Sequence, residues 1–215
     1  MRNIRIFFSK KGRARFISHL DMTRLFQRAV RRTGITMWYT EGFHPHLYMT
    51  FALPLSLGTE SECECVDMKL VDDISLEAVR DRLNATLPEG IEVYRVSEPS
   101  MKTNRIESSE YLVTVPESQF DKTAFEDFIK KDEINAVKKG KAGEKLVNIK
   151  PWIYGYSISQ SGENVQIYLR LASGNTNTLN PNLLLSVFSE QSGADLCDAA
   201  IIRKKIFAEN GDIFV

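Results

Sequence analysis

Twice along this chain the hydrophobic pattern changes period in the same order, and that order restricts the fold more than any other feature. Residues 3–8 (NIRIFF) are branched and aromatic and predict a strand. Ser18-His19-Leu20-Asp21 is a capping-box pattern, with Asp in place of the usual Glu. The helix it opens carries Leu20, Met22, Leu25, Phe26, Ala29 and Val30 on one face and stops at Gly34. Residues 35–40 read as a short strand and 41–46 (EGFHPH) as a turn. Residues 47–55 read as a strand that Pro54 ends or confines to an edge. Residues 60–70 alternate Glu60, Glu62 and Glu64 against Cys63, Cys65 and Val66. Ser75 caps a helix through Leu76, Val79, Leu83 and Leu87, which Pro88-Glu89-Gly90 terminates, and Ile91 and Val93 begin a last strand. The order β-α-β-β-α-β is the ferredoxin-like split βαβ arrangement.

The second round starts at Tyr111, about 107 residues on. Strands over 111–115 and 134–138, a helix over 124–130 and strands over 146–159 and 165–172 lead to a helix opened by Asn180-Pro181. A strand over 199–207 closes it, so the order repeats with one extra strand. The fold class expected is therefore α+β, two tandem ferredoxin-like (βαββαβ) domains with antiparallel sheets, over 1–98 and 110–215, with a polar linker at 99–109.

Formal charge is zero over 215 residues, but its distribution is lopsided. Residues 1–33 hold ten Lys or Arg against one acid, and residues 34–100 hold four against twelve acids. Either the basic segment faces an anionic partner, or the two segments neutralise one another across a shared sheet. Three cysteines, Cys63, Cys65 and Cys197, suit no disulfide framework. No stretch approaches the ~20 apolar residues that span a bilayer, and MRNIRIFF lacks a signal-peptide run, so a cytoplasmic protein with no membrane association is expected.

The candidate nucleic-acid-binding residues are Lys10, Lys11, Arg13 and Arg15 on a loop around Gly12, and Arg24, Arg28 and Arg31 on one helical stripe. Phe43, His46 and Tyr48 are expected to line an adjoining pocket where unpaired bases stack, and Lys139 and Lys141 on a second loop could extend the surface. Exposed ion pairs contribute only about 0–1 kcal/mol each, so stability alone explains such a cluster poorly. The histidines allow two alternatives. His19, Asp21, His44 and His46 could gather a metal, although short motifs of this kind are weakly specific and none is assigned. Alternatively His46 or His19 could shuttle protons in a metal-independent endoribonuclease, an analogy at the level of fold with the CRISPR RNA-processing endonucleases. Glu60, Glu62 and Glu64 read most simply as a charge-blunted edge strand.

RFISHLD (15–21), RLFQRAVRRTG (24–34), EGFHPH (41–46) and LPLSLGTESECECVDMKL (53–70), followed later by VNIKPWI (147–153), resemble the bacterial radical-SAM-linked protein family, with His44 standing where that family usually has Asn. The resemblance implies an accessory protein, more a binding module than an enzyme on its own, working beside a separate radical SAM partner. A further alternative is a protein-interaction domain whose basic face docks an acidic patch on that partner. This chain lacks the clustered thiolates that hold a [4Fe–4S] cluster, and no cofactor is expected in it.

Overall fold

A computed structural model describes residues 1–140, 143–174 and 177–215, with backbone alone at Lys139 and Gly140. The chain forms two compact units, Met1–Thr103 with Phe214–Val215, and Asn104–Ile213.

The first unit runs β1 (Arg2–Lys10), α1 (His19–Thr33), β2 (Met49–Phe51), β3 (Glu60–Leu70), α2 (Leu76–Asn84) and β4 (Ile91–Ser97). β1 lies between β4 and β3, β2 pairs with β3, and every pairing is antiparallel. Ser18 caps α1, its Oγ accepting from the Asp21 N–H at 3.1 Å, and Gly34 ends the helix in the left-handed region at φ 69°. The buried stripe of α1 (Met22, Phe26, Ala29, Val30) packs on Ile4, Ile6 and Phe8 of β1 and on Val66, Met68 and Leu70 of β3. Phe8 and Phe26 meet with ring centroids 4.9 Å apart. On the sheet's other face, Arg5 is buried and bonds both Asp67 carboxylate oxygens at 2.7 and 2.9 Å. Its guanidinium also donates to the Val215 carbonyl at 3.0 Å and lies over the Phe214 ring.

The second unit runs β5 (Ile106–Pro116), α3 (Lys122–Lys130), β6 (Asn135–Gly140), β7 (Gly143–Asn148), β8 (Ile153–Ser161), β9 (Asn164–Ala172), α4 (Pro181–Ser192) and β10 (Ala200–Ala208). β5 lies between β10 and β9, β8 flanks β9, and β6 with β7 makes a separate two-stranded ribbon. Phe125, Phe128 and Phe188 centre its core, with Phe125 and Phe188 edge to face at 5.0 Å.

Several expected boundaries shift, each for a local reason. The single strand expected over 146–159 is two, because Ile149 turns into the helical region (ψ −6°) and Lys150-Pro151-Trp152 form a 3-10 turn. Residues 35–40 make only isolated bridges, Met37 to Leu70 and Tyr39 to Leu47. Because Leu47 pairs back to Tyr39, the strand expected over 47–55 shrinks to Met49–Phe51. The linker expected to reach residue 109 gives way to strand at Ile106. β3, expected as a charged edge, is paired by β1 from Ser61 to Leu70 and also by β2 at Val66, Asp67 and Met68. No helix among the described residues is long and apolar enough to cross a membrane.

Candidate functional site

The basic loop is a 3-10 turn, Gly12–Phe16, pinned at its start. Lys11 N–H donates to the Gly90 carbonyl at 2.8 Å, and Gly12 N–H donates to Glu60 Oε1 at 3.2 Å. The first contact demands glycine at 90: with φ 87°, an added Cβ would sit 2.5 Å from the Lys11 carbonyl oxygen.

The seven candidate cations of this segment divide three ways. Three are paired with acids: Lys11 with Glu62 at 3.7 Å, Arg15 with Glu60 at 3.5 Å and Arg24 with Asp21 at 3.2 Å. The Ser18 hydroxyl, followed by Arg24 and Arg28, holds the Asp21 carboxyl below its usual range. Arg13, Arg28 and Arg31 are exposed and make no ion pair among the described residues. Arg28 and Arg32 line an open groove of about 380 Å³ with Ile17, Asp21, Leu25 and Pro88, where Arg32 is steadied by the Thr86 carbonyl at 2.5 Å. Phe16 and Leu20 stand exposed nearby in the chain, and the Arg15 guanidinium stacks on the Phe16 ring at 4.9 Å.

The seventh cation, Lys10, corrects the sequence reading. It ends β1 instead of opening an exposed loop, it is only 3 % exposed, and its ammonium donates to the Ile17 carbonyl at 2.7 Å. It is therefore withdrawn from any surface phosphate track. Ile4, Ile6, Phe8 and Lys10 follow the period-2 alternation of a strand, so Lys10 falls on the helix-facing side. Glu64 stands opposite Phe8 across the β1–β3 ladder and is 4 % exposed. Lys10 and Glu64, with Phe8, Met22, Phe51, Leu53, Leu55 and His19, line a small cavity of about 20 Å³. His19, otherwise exposed, meets the Phe51 ring edge to face at 5.2 Å. Taking a charged group out of water costs several kcal/mol unless it is well bonded, and the Ile17 carbonyl supplies one such bond to Lys10. Neither Lys10 nor Glu64 was legible as buried from residue type, but the alternation carried one residue further along β1 would have shown Lys10.

The aromatic turn is arranged differently from the pocket expected. Thr40 N–H donates to the His46 carbonyl at 2.8 Å, closing a hairpin whose tip carries the fully exposed Phe43. His46 Nδ1 lies 2.9 Å from Thr40 Oγ1 and 3.2 Å from the His44 carbonyl. Tyr48 packs edge to face on Trp38 at 5.5 Å, with the Lys69 ammonium over both rings at 4.7 and 4.3 Å. Phe43, His46 and Tyr48 thus engage three different surroundings. His19, Asp21, His44 and His46 are not gathered either: among the described residues no three His, Cys, Asp or Glu side chains are placed to hold a metal ion.

In the second unit, Lys138 donates to the Thr178 carbonyl at 2.8 Å and lies over the Trp152 ring at 4.4 Å. Lys139 has its backbone in β6, but its side chain and the whole of Lys141 lie outside the described residues.

These observations define a mixed α+β protein with antiparallel sheets, a basic surface and a cavity lined by buried charge. The family model for uncharacterised proteins conserved in bacteria (DUF2344) matches residues 3–181, and the chain belongs to that family. No curated protein matches it. Among solved structures the chain is similar to one from the crystal structure of a Cbf5-Nop10-Gar1 complex, at 10% identity and a TM-score of 0.52. That match covers 96% of this chain and 50% of the other, so the chain spans about half its relative's length, and the likeness is one of fold. The crystal structure of an unknown protein from Galdieria sulphuraria also matches, at 10% identity over 94% of this chain and 98% of that one, with a TM-score of 0.28 that supports no further comparison.

Proposed function

We propose that the protein is an RNA-binding accessory module, without catalytic activity of its own, and that its first unit carries the RNA. The observation that supports this most directly is the set Arg13, Arg28 and Arg31, exposed and free of ion pairs among the described residues, on elements that also present the Arg15–Phe16 stack. Guanidinium forks suit phosphate oxygens, and an exposed ring backed by a guanidinium is a surface on which an unpaired base stacks. The order β4-β1-β3 with β2 on β3, and in the second unit β10-β5-β9-β8, supports a tandem ferredoxin-like reading. The motif resemblance to radical-SAM-linked proteins supports a separate radical SAM enzyme as the partner to which the RNA is presented, in the cytoplasm.

Fluorescence anisotropy with a short single-stranded RNA, titrated at several salt concentrations, tests the reading. Three phosphate contacts give a log–log slope of about −2, a loss of about twentyfold in affinity between 50 and 200 mM salt. Replacing Arg13, Arg28 and Arg31 together by Ala should abolish both the binding and its slope. Binding indifferent to salt, or no binding at 50 mM, refutes the proposal.

A further inference from the structure

We infer that the chain forms a homodimer through β8, which pairs antiparallel with β8 of a second copy. β8 ends the order β10-β5-β9-β8 and is bonded on one side only, to β9. Among the described residues nothing pairs with its far side, so a row of backbone N–H and C=O groups faces outward without a partner. Tyr154, Ser157, Ser159, Gln160 and Ser161 are exposed, as a free edge requires. Proteins ordinarily protect such a row with charge, proline or brevity. In the first unit β4 carries Glu92 and Arg95, and β2 is only three residues long. β8 has no such protection: its nine residues, IYGYSISQS, include no charge and no proline. Its one irregularity lies between Ile153 and Gly155, and from Gly155 to Ser161 the register with β9 is unbroken.

A second copy is the partner this edge fits. A partner chosen by charge needs charges here to recognise, and the strand offers none. A two-fold antiparallel pair needs only that the strand complement itself when reversed. Turned about Ser157 it does so: Tyr156 of each copy faces Ile158 of the other, and this aromatic–branched pairing, a stabilising one across strands, occurs twice. Both side chains already pack against the core under the helices, Tyr156 with its ring edge to face with Phe125 at 6.2 Å, and both are half-buried, leaving a flank to be covered. On the opposite face Ser157 meets its own copy and Ser159 meets Gly155, small groups that let the two backbones close. A pair turned about Ile158 would set Tyr156 against Gln160 and lose both aromatic–branched contacts. A strand pairing of this length lies at the small end of specific interfaces, so a Kd of about 10 µM is expected.

Sedimentation equilibrium of the full chain without RNA, from about 1 to about 200 µM, should show a monomer–dimer equilibrium with that Kd. Ser157→Lys sets two ammonium groups opposite one another at the axis and should weaken the dimer at least about tenfold. Ser186→Lys, on the exposed side of α4, should leave it unchanged. Circular dichroism checks that each variant is folded. The register is tested in a Cys197→Ser background, which removes the exposed native thiol. There Ser157→Cys should give a crosslinked dimer under mild oxidation, because its two copies face each other. Ser161→Cys should not, because its two copies lie eight residues apart along the ladder, about 27 Å. A monomer throughout the concentration range, a dimer indifferent to Ser157→Lys, or crosslinking that fails to favour position 157 over 161 overturns the inference. With no RNA present, none of these outcomes bears on the RNA-binding reading.

Discussion

The two units pair their principal strands in the same order yet fill the helix-facing side of the sheet differently. In the second, Arg203 on β10 is buried against Tyr111, its Nε donating to the phenol oxygen at 3.3 Å with the ring 5.6 Å away, and a cluster of phenylalanines fills the space under α3 and α4. In the first, Lys10 and Glu64 occupy the helix-facing side and line a small cavity together with His19. Strand order fixes which positions point inward, and the residue set there decides whether the interior is filled or left as a cavity. Both units solve the packing problem of two helices on a sheet.

Four measurements would break or sharpen that contrast. The largest effects fall on the two cores. Phe26→Ala in the first unit and Phe188→Ala in the second should each cost about 3–5 kcal/mol in urea unfolding, since each ring is buried among other aromatic groups. A markedly smaller loss for Phe26 would show that the cavity side of the first core is loosely packed. Next comes Gly90→Ala, where the new methyl group meets the Lys11 carbonyl at a backbone angle that disfavours side chains. It should cost about 1–3 kcal/mol and weaken RNA binding through displacement of the Gly12–Phe16 turn; unchanged stability would mean that the loop is not pinned there. Smaller again are the matched caps. Ser18→Ala and Asn180→Ala each remove a side-chain acceptor from a helix N-terminus and should cost about 1 kcal/mol each by thermal unfolding.

The smallest effect is one of pH. The Asp21 carboxyl is lowered in the folded protein, mainly by the Ser18 hydroxyl, so its contribution is present above the ordinary carboxyl pKa and disappears as pH falls through the folded value. Asp21→Asn should therefore be less stable than the parent near neutral pH, with the gap closing below about pH 4. A gap of constant size across that range would show that Asp21 acts through shape and not charge.

Periodic features were readable from the sequence. The helix faces, the Ser18, Ser75 and Asn180 caps and the Gly34 stop all have local causes, and the structure shows each in place. Features that depend on distant neighbours were not. Glu64 looked like an edge charge because nothing in residues 60–70 reveals that its side chain is buried. Lys10 looked like part of a loop because a lysine at a strand end usually marks the exit to solvent. Phe16 passed unnoticed as an exposed ring because an aromatic residue beside Ile17 reads as core. The ribbon of β6 and β7 was concealed by Lys150-Pro151, whose turn interrupts an otherwise continuous apolar run.

The shell around Arg5 has a consequence for biosynthesis. Asp67 emerges from the ribosome early, whereas Phe214 and Val215, which cover the same guanidinium, emerge only after the entire second unit has been made. During translation the first unit therefore waits with a large buried cation half enclosed, and its last layer of protection arrives only after the second unit.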